Sequence, residues 1–165
     1  MQRRSLVLLG AVAASSFTIL IIINPLLFEY GRFVGLDGAP SVMDHSWSVS
    51  ECIYALGDLL CHQQYDRSFV LNGSQMPFCI RDLGLIIGLS TGLIACFIND
   101  RWSDRKSYLR AGVLLLCVTA AEWGLEHFID IDWPIRFATA IVSGIGAAMI
   151  LCWALYRERP LENRV

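Results

Sequence analysis

The sequence predicts an all-α fold, a polytopic membrane helix bundle with four transmembrane helices and one amphipathic surface helix in a long outer loop. Three observations predict it. Hydrophobic residues make up 55% of the chain against 17% charged, with a mean hydropathy of +0.52, whereas soluble domains average about 45–50% apolar and about 25% charged. The excess is concentrated in four runs near the roughly 20 residues that a spanning helix needs. Basic residues then gather on one side of those runs. The 165 residues suffice for a single integral membrane domain, 1–165. Thirteen Lys and Arg against fifteen Asp and Glu leave a net charge of −2, so there is no polybasic face for nucleic acid. Composition also excludes a disordered chain and a disulfide-dense secreted mini-protein.

The first span is expected at Ser5–Phe28, interrupted only by Asn24 and Pro25 near its far end. Arg3 and Arg4 before an apolar run, with small residues at Ala11–Ala14, also resemble a cleaved signal peptide. The run continues far beyond a signal's apolar region of about 7–15 residues, so an uncleaved anchor is expected. The second span, Leu83–Ile98, is short but uncharged, and Gly84, Gly88 and Gly92 recur every four residues. Such a stripe lets helix backbones approach closely in lipid. The third, Tyr108–Leu125, contains Arg110 and Glu122; the fourth, Ile135–Tyr156, carries Ser143, Gly144 and Gly146.

Orientation follows from the basic residues. One side holds Arg3, Arg4, Arg101, Arg105, Lys106, Arg110, Arg157, Arg159 and Arg164; the other holds Arg32, Arg67, Arg81 and Arg136 over a much longer stretch. The bias predicts a multi-pass protein of the cell membrane with both termini cytoplasmic and loop 29–82 outside. In that loop Glu29–Asp44 is turn-rich, with Gly31, Gly35, Gly38 and Pro40. Trp47–Leu60 sets Val49, Ile53, Leu56 and Leu60 near helical spacing. Ser46, Ser48 or Ser50 is placed to cap it, with Glu51 in the first turn. This helix is expected on the outer membrane surface or packed over the bundle. Asn72-Gly73 marks a turn, and Pro77 leads into the second span.

Six cysteines divide by location. Cys96, Cys117 and Cys152 lie within spans, where a free cysteine acts as a small apolar residue. Cys52, Cys61 and Cys79 fall in the outer loop or at its edge. In a prokaryotic envelope that side favours disulfides, so one reading bridges Cys61 to Cys79 and leaves Cys52 unpaired. A second is a metal site of Cys61, His62, Cys79 and Asp82, and a third leaves these residues neither bridged nor metal-binding. Thiolate, imidazole and carboxylate suit zinc, and iron less well. A spacing of three puts Cys79 and Asp82 on one side of a helical turn, at the start of the second span, where free amides favour anionic ligands.

A second group is acidic. Glu122 and Glu126 share a helix face, His127, Asp130 and Asp132 follow, and Arg136 opens the fourth span. A carboxylate inside a bilayer is a functional candidate. Its alternatives are a buried ion pair with Arg136 or Arg81, a metal ligand or a carboxylate supporting one, and a proton-handling base. Asp130 and Asp132 read as solvated loop residues and His45 as a surface histidine. His127 is suited to orienting a carboxylate, joining a metal or lying in the headgroup layer.

Cys61-His62-Gln63, Arg67-Ser68-Phe69, Gly73, Gln75-Met76-Pro77, Cys79, Arg81, Gly84 and Gly88 together resemble the core signature of an uncharacterised prokaryotic membrane-protein family, domain of unknown function 2085. The likeness covers Cys61–Gly92 closely and extends loosely, through Glu122, Glu126 and Arg136-Phe137-Ala138-Thr139, to Gly144. The family pattern has a second cysteine where this chain has Asp82. A thiolate-rich site is thereby implied, with a carboxylate replacing one sulfur. The resemblance implies no reaction.

All these candidates map to the outer side. One expectation is a metal-dependent membrane enzyme. Cys61, His62, Cys79 and Asp82 would hold a divalent ion, zinc before iron. Glu122 or Glu126 would move protons, and Arg81 or Arg136 would bind an anionic or lipid substrate. Another is a non-enzymatic subunit, homo-oligomeric or part of a larger membrane complex, whose disulfide or metal pins the loop. A thiol oxidoreductase using Cys61 and Cys79 is a third, weakened by the absence of a CxxC motif.

Overall fold

The computed structural model describes residues 2–38, 40–43, 45–101, 103 and 105–157. Arg159 and Arg164, counted in the charge bias, and Asp44, the end of the turn-rich stretch, lie outside the described residues. The elements are α1 (Gln2–Ile23), α2 (Cys52–Leu60), a hairpin of β1 (Val70–Leu71) and β2 (Ser74–Gln75), α3 (Ile80–Ile98), α4 (Lys106–Leu125) and α5 (Trp133–Tyr156). Among the described residues four helices are long and apolar enough to cross a membrane: Arg3–Leu27, Ile80–Ile98, Lys106–Leu125 and Trp133–Tyr156. The sequence places each within a few residues. Helix α3 begins three residues before the apolar run because Ile80-Arg81-Asp82 completes its first turn. Helix α5 begins with Pro134 in its first turn, where the missing N–H leaves no bond unmade.

The chain forms two compact units, Met1–Ser15 with Gly84–Val165, and Ser16–Leu83. In the first, small residues let helices touch backbone to backbone. A Cβ added at Gly88 would lie 2.1 Å from the Ile141 carbonyl oxygen, and one at Gly144 would lie 2.2 Å from that of Leu85. Helix α4 meets α5 in the same way at Gly112 and Gly146. Polar bonds follow that seam: the Ser143 hydroxyl lies 2.9 Å from the Leu115 carbonyl and 2.7 Å from Thr119 Oγ1, and Thr119 donates to the Thr139 carbonyl (3.0 Å). The core is Val7, Ala11, Leu93, Cys96, Ala148, Cys152 and Tyr156. Leu114, Val118 and Leu151 are exposed, as helices solvated by lipid require.

The second unit joins short elements by long irregular segments. Its hairpin turns at Asn72 (φ 54°) and Gly73 (φ 68°), both left-handed as a two-residue turn between twisted strands demands. Asn72 Nδ2 donates to the carbonyls of Pro25 and Phe28 at the end of the first span. Ser48 and Glu51 form a capping box ahead of α2. The helix buries a different face from the one its apolar spacing suggests. Ile53 is buried as expected, but Val49 is 94% and Leu60 60% exposed, while Tyr54, Gly57 and Asp58 turn inward. Tertiary contacts account for the difference. Tyr54 stacks on Phe33 at 3.8 Å and on Trp47 at 5.8 Å, and Asp58 collects hydrogen bonds from His45 and Trp47.

Candidate metal centre

Helix α2 ends at Cys61, whose extended backbone (φ −130°, ψ 154°) stops the helix while its N–H still reaches the Gly57 carbonyl at 2.8 Å. Successive side chains alternate in extended chain. Cys61 is therefore buried and His62 after it exposed, while Gln63, left-handed rather than extended, is buried in its turn. Gly57 lies one helical turn before Cys61. A Cβ there would sit 1.9 Å from the Pro77 carbonyl oxygen, so only glycine allows the backbone at Pro77 to lie against α2. Two residues beyond Pro77 comes Cys79, which is thus delivered to Cys61.

Two glutamines hold this crossing. Gln63 is fully buried at φ 45°, and its Nε2 donates to the Tyr54 carbonyl (3.2 Å) and the Pro77 carbonyl (2.9 Å). Gln75 is equally buried. Its Oε1 accepts from the Leu36 N–H (3.0 Å), and its Nε2 donates to the Leu36 carbonyl (3.3 Å) and the Gln63 carbonyl. The Tyr54 hydroxyl closes the network on the Gln75 carbonyl at 2.7 Å; burial pushes its phenol above the usual value. Loop backbone that cannot pair in a helix or sheet still needs partners when buried, and these amides supply them.

The result is a tight group. One donor atom each from Cys61, Cys79 and Asp82 lies within 4.8 Å of the others. The Cys79 N–H points at Cys61 Sγ (3.3 Å), and Cys79 Sγ at Asp82 Oδ2 (3.3 Å). Asp82 is in the first turn of α3, on the same side as Cys79. Both cysteines are free thiols. Hydrogen bonding to Cys79, with burial, pushes the Cys61 thiol up, while the hydrogen bond from Cys61 holds Cys79 below the ordinary thiol value. Two sulfurs and a carboxylate make a soft-to-borderline donor set suited to zinc.

His62 is not brought into this group. Its side chain is exposed, and its carbonyl accepts from the Gly38 N–H at 2.8 Å. Arg81 is half-buried between Cys79 and Asp82 in sequence. Glu122, Glu126 and Arg136 belong to the other compact unit. Glu122 is 4% exposed, and Glu126 Oε1 pairs with Arg136 Nε at 2.6 Å. His127 is exposed, with Nδ1 3.1 Å from the Trp123 carbonyl; Asp130 and Asp132 are exposed too.

His45, read from sequence as a surface histidine, is engaged by Asp58, a carboxylate with no exposure at all. Asp58 accepts from Trp47 Nε1 (2.7 Å) and the His45 N–H (3.1 Å), with His45 Nδ1 at 3.4 Å. Burial opposes its ionisation, yet those donors outweigh burial and hold its carboxyl below the usual range. The sequence contained the signal: Asp58 stands one turn after Tyr54, on the face that Gly57 and Cys61 share.

A protein family described as Predicted membrane protein (DUF2085) matches residues 61–150. An uncharacterized protein, MJ1492, of Methanocaldococcus jannaschii is 28% identical over 99 residues, which cover 58% of this chain and 64% of that protein. The chain therefore spans just under two thirds of that relative. No solved structure matches. With the signature run from Cys61 to Gly88 inside a match over more than half its length, the chain belongs to the predicted membrane protein family DUF2085.

Proposed function

We propose that this membrane protein binds a divalent metal ion, zinc by its donor chemistry, through Cys61, Cys79 and Asp82. The observation that carries the reading is the convergence of three ligand atoms within 4.8 Å, from three positions that Gly57 and Gln63 bring together. Three protein ligands leave a fourth position for an exchangeable ligand, the arrangement of catalytic rather than closed structural zinc sites. When bound, the ion would act as a Lewis acid toward that ligand. Arg81, within the same turn as Asp82, would attract the anionic group of a lipid or other anionic substrate. Glu126 is engaged by Arg136, a pairing that holds the ends of α4 and α5 together. The charge bias supports an extracytoplasmic location for the centre.

A non-enzymatic reading rests on a different observation: the buried network around Gln63 and Gln75 already fastens the loop, and a metal would add a further clasp. Elemental analysis of the purified full chain tests the proposal. About one zinc per chain is expected in wild type and in His62→Ala, and none in Cys79→Ser or Asp82→Asn. Zinc absent from wild type, or retained in Cys79→Ser, would overturn it.

A further inference from the structure

Within the unit of Met1–Ser15 and Gly84–Val165, helices α3 and α5 meet in a ladder of constant register. A Cβ on Gly84 would touch Ala140 Cβ at 2.8 Å, one on Gly88 the Gly144 Cα at 3.0 Å, and one on Gly92 the Ala148 Cβ at 2.5 Å. Each pair is offset by 56 residues and each rung advances both helices by four (84 to 140, 88 to 144, 92 to 148). Interlocking rows four residues apart keep two helices facing one another through successive turns. The next rung is Cys96 and Cys152. The Cys152 thiol is hydrogen-bonded to Cys96, neither is in a disulfide, and Cys96 is 1% and Cys152 0% exposed. Two thiols meet here because the rung before them is too small to hold the backbones apart.

We propose that Cys96 and Cys152 form a two-sulfur site for a soft, two-coordinate monovalent cation, Cu(I). The surroundings select for it. Val7, Ala11, Leu93, Ala148 and Tyr156 share the core with the pair, and Tyr108 packs against it; among the described residues this cluster holds no carboxylate for a hard ion, and zinc would lack the four ligands that it takes. Soft sulfur donors favour Cu(I), for which two sulfurs in line complete a coordination sphere. Binding releases one S–H proton, so one thiolate and one thiol hold the cation in a neutral complex suited to an apolar site; no electron changes hands. The pair stands two residues from the end of α3 and four from the end of α5, near the helix termini rather than mid-span.

The site is separate from the Cys61 centre, and its test keeps them apart. Full-length chain with Cys52, Cys61, Cys79 and Cys117 replaced by serine retains only this pair. It is titrated anaerobically with Cu(I) against a chromophoric Cu(I) chelator. A single retained Cu(I), with only sulfur neighbours by X-ray absorption and lost on adding Cys152→Ala, is the expected result. No retained copper, or copper that survives Cys152→Ala, overturns the proposal. Should the four-serine chain fail to fold, wild type against Cys152→Ala decides: loss of a single Cu(I) supports the site, and unchanged copper overturns it.

Discussion

In Ser16–Leu83, buried backbone is met by side chains. Gln75 serves both the N–H and the carbonyl of Leu36, Gln63 serves Tyr54 and Pro77, and Asn72 serves Pro25 and Phe28. In Met1–Ser15 with Gly84–Val165, helices satisfy their own backbone, and the contacts between them are made by removing side chains at Gly84, Gly88, Gly92, Gly112, Gly144 and Gly146. The difference reflects what each segment is made of. A helix leaves only its ends unpaired, so its neighbours are free to approach by shape alone. An irregular loop carries unpaired groups along its whole length, and each buried one requires a partner. Chemistry collects in the loop unit for the same reason: its fold already needs buried polar side chains, and Cys61, Cys79 and Asp82 are held among them.

Gly57 is where a substitution costs the loop unit most. Gly57→Ala places a methyl 1.9 Å from the Pro77 carbonyl oxygen, a backbone atom that cannot swing away. Overpacking of this kind costs about 1–3 kcal/mol or more, and the roughly 1 kcal/mol of helix propensity regained offsets only part of it. Chemical denaturation followed by Tyr and Trp fluorescence should show that loss together with loss of bound zinc. Gly88→Ala, 2.1 Å from the Ile141 carbonyl oxygen, is its counterpart in the helical unit. There the loss should appear in detergent denaturation followed by circular dichroism, with zinc binding retained.

A smaller effect is expected at Gln75. Gln75→Leu keeps the volume but strands the Leu36 N–H and carbonyl, at about 1–3 kcal/mol for buried groups left without partners. Protection of the Leu36 amide from hydrogen exchange should fall, while amides in α5 keep theirs. If α5 amides lose protection equally, the two units do not unfold separately and the contrast drawn above fails.

The smallest effect is a pH dependence confined to the loop unit. Hydrogen bonds from the Ser48 amide and hydroxyl, with the Arg32 guanidinium at 2.7 Å, hold the Glu51 carboxyl down to about 2 from 4.5. A depressed carboxylate stabilises the folded state in full above its unfolded value, and that contribution is lost as pH falls from about 4.5 through about 2. Thermal melts of wild type should therefore drop over this window more steeply than those of Glu51→Gln. Equal slopes would show that the Glu51 box contributes nothing to acid stability.

The membrane helices were legible because long apolar runs have one low-energy solution in lipid, and the Gly stripe of α3 announced close packing before any partner was known. Ser48, one of three serines placed to cap α2, forms a capping box with Glu51 by local chemistry alone. The face of α2 was not legible. Val49, Ile53, Leu56 and Leu60 form an apolar stripe, yet Tyr54 and Asp58 were drawn inward by aromatic and hydrogen-bonding partners outside the helix: Phe33, Trp47, His45 and Gln75. His62 misled for a related reason. Adjacency to Cys61 suggested a shared site, whereas extended backbone sends neighbouring side chains to opposite sides.

The apolar spans, their order, and Cys79 and Asp82 as neighbours on one helical turn were readable from the chain alone, since each depends on spacing within a single segment. Tertiary structure decided that Cys61 joins them through the Gly57–Pro77 crossing, that Gln63 and Gln75 lock the loop, and that Cys96 meets Cys152 at the end of the small-residue ladder. Those pairings depend on how far two distant backbones can approach, a quantity set by packing between segments and carried by neither segment alone.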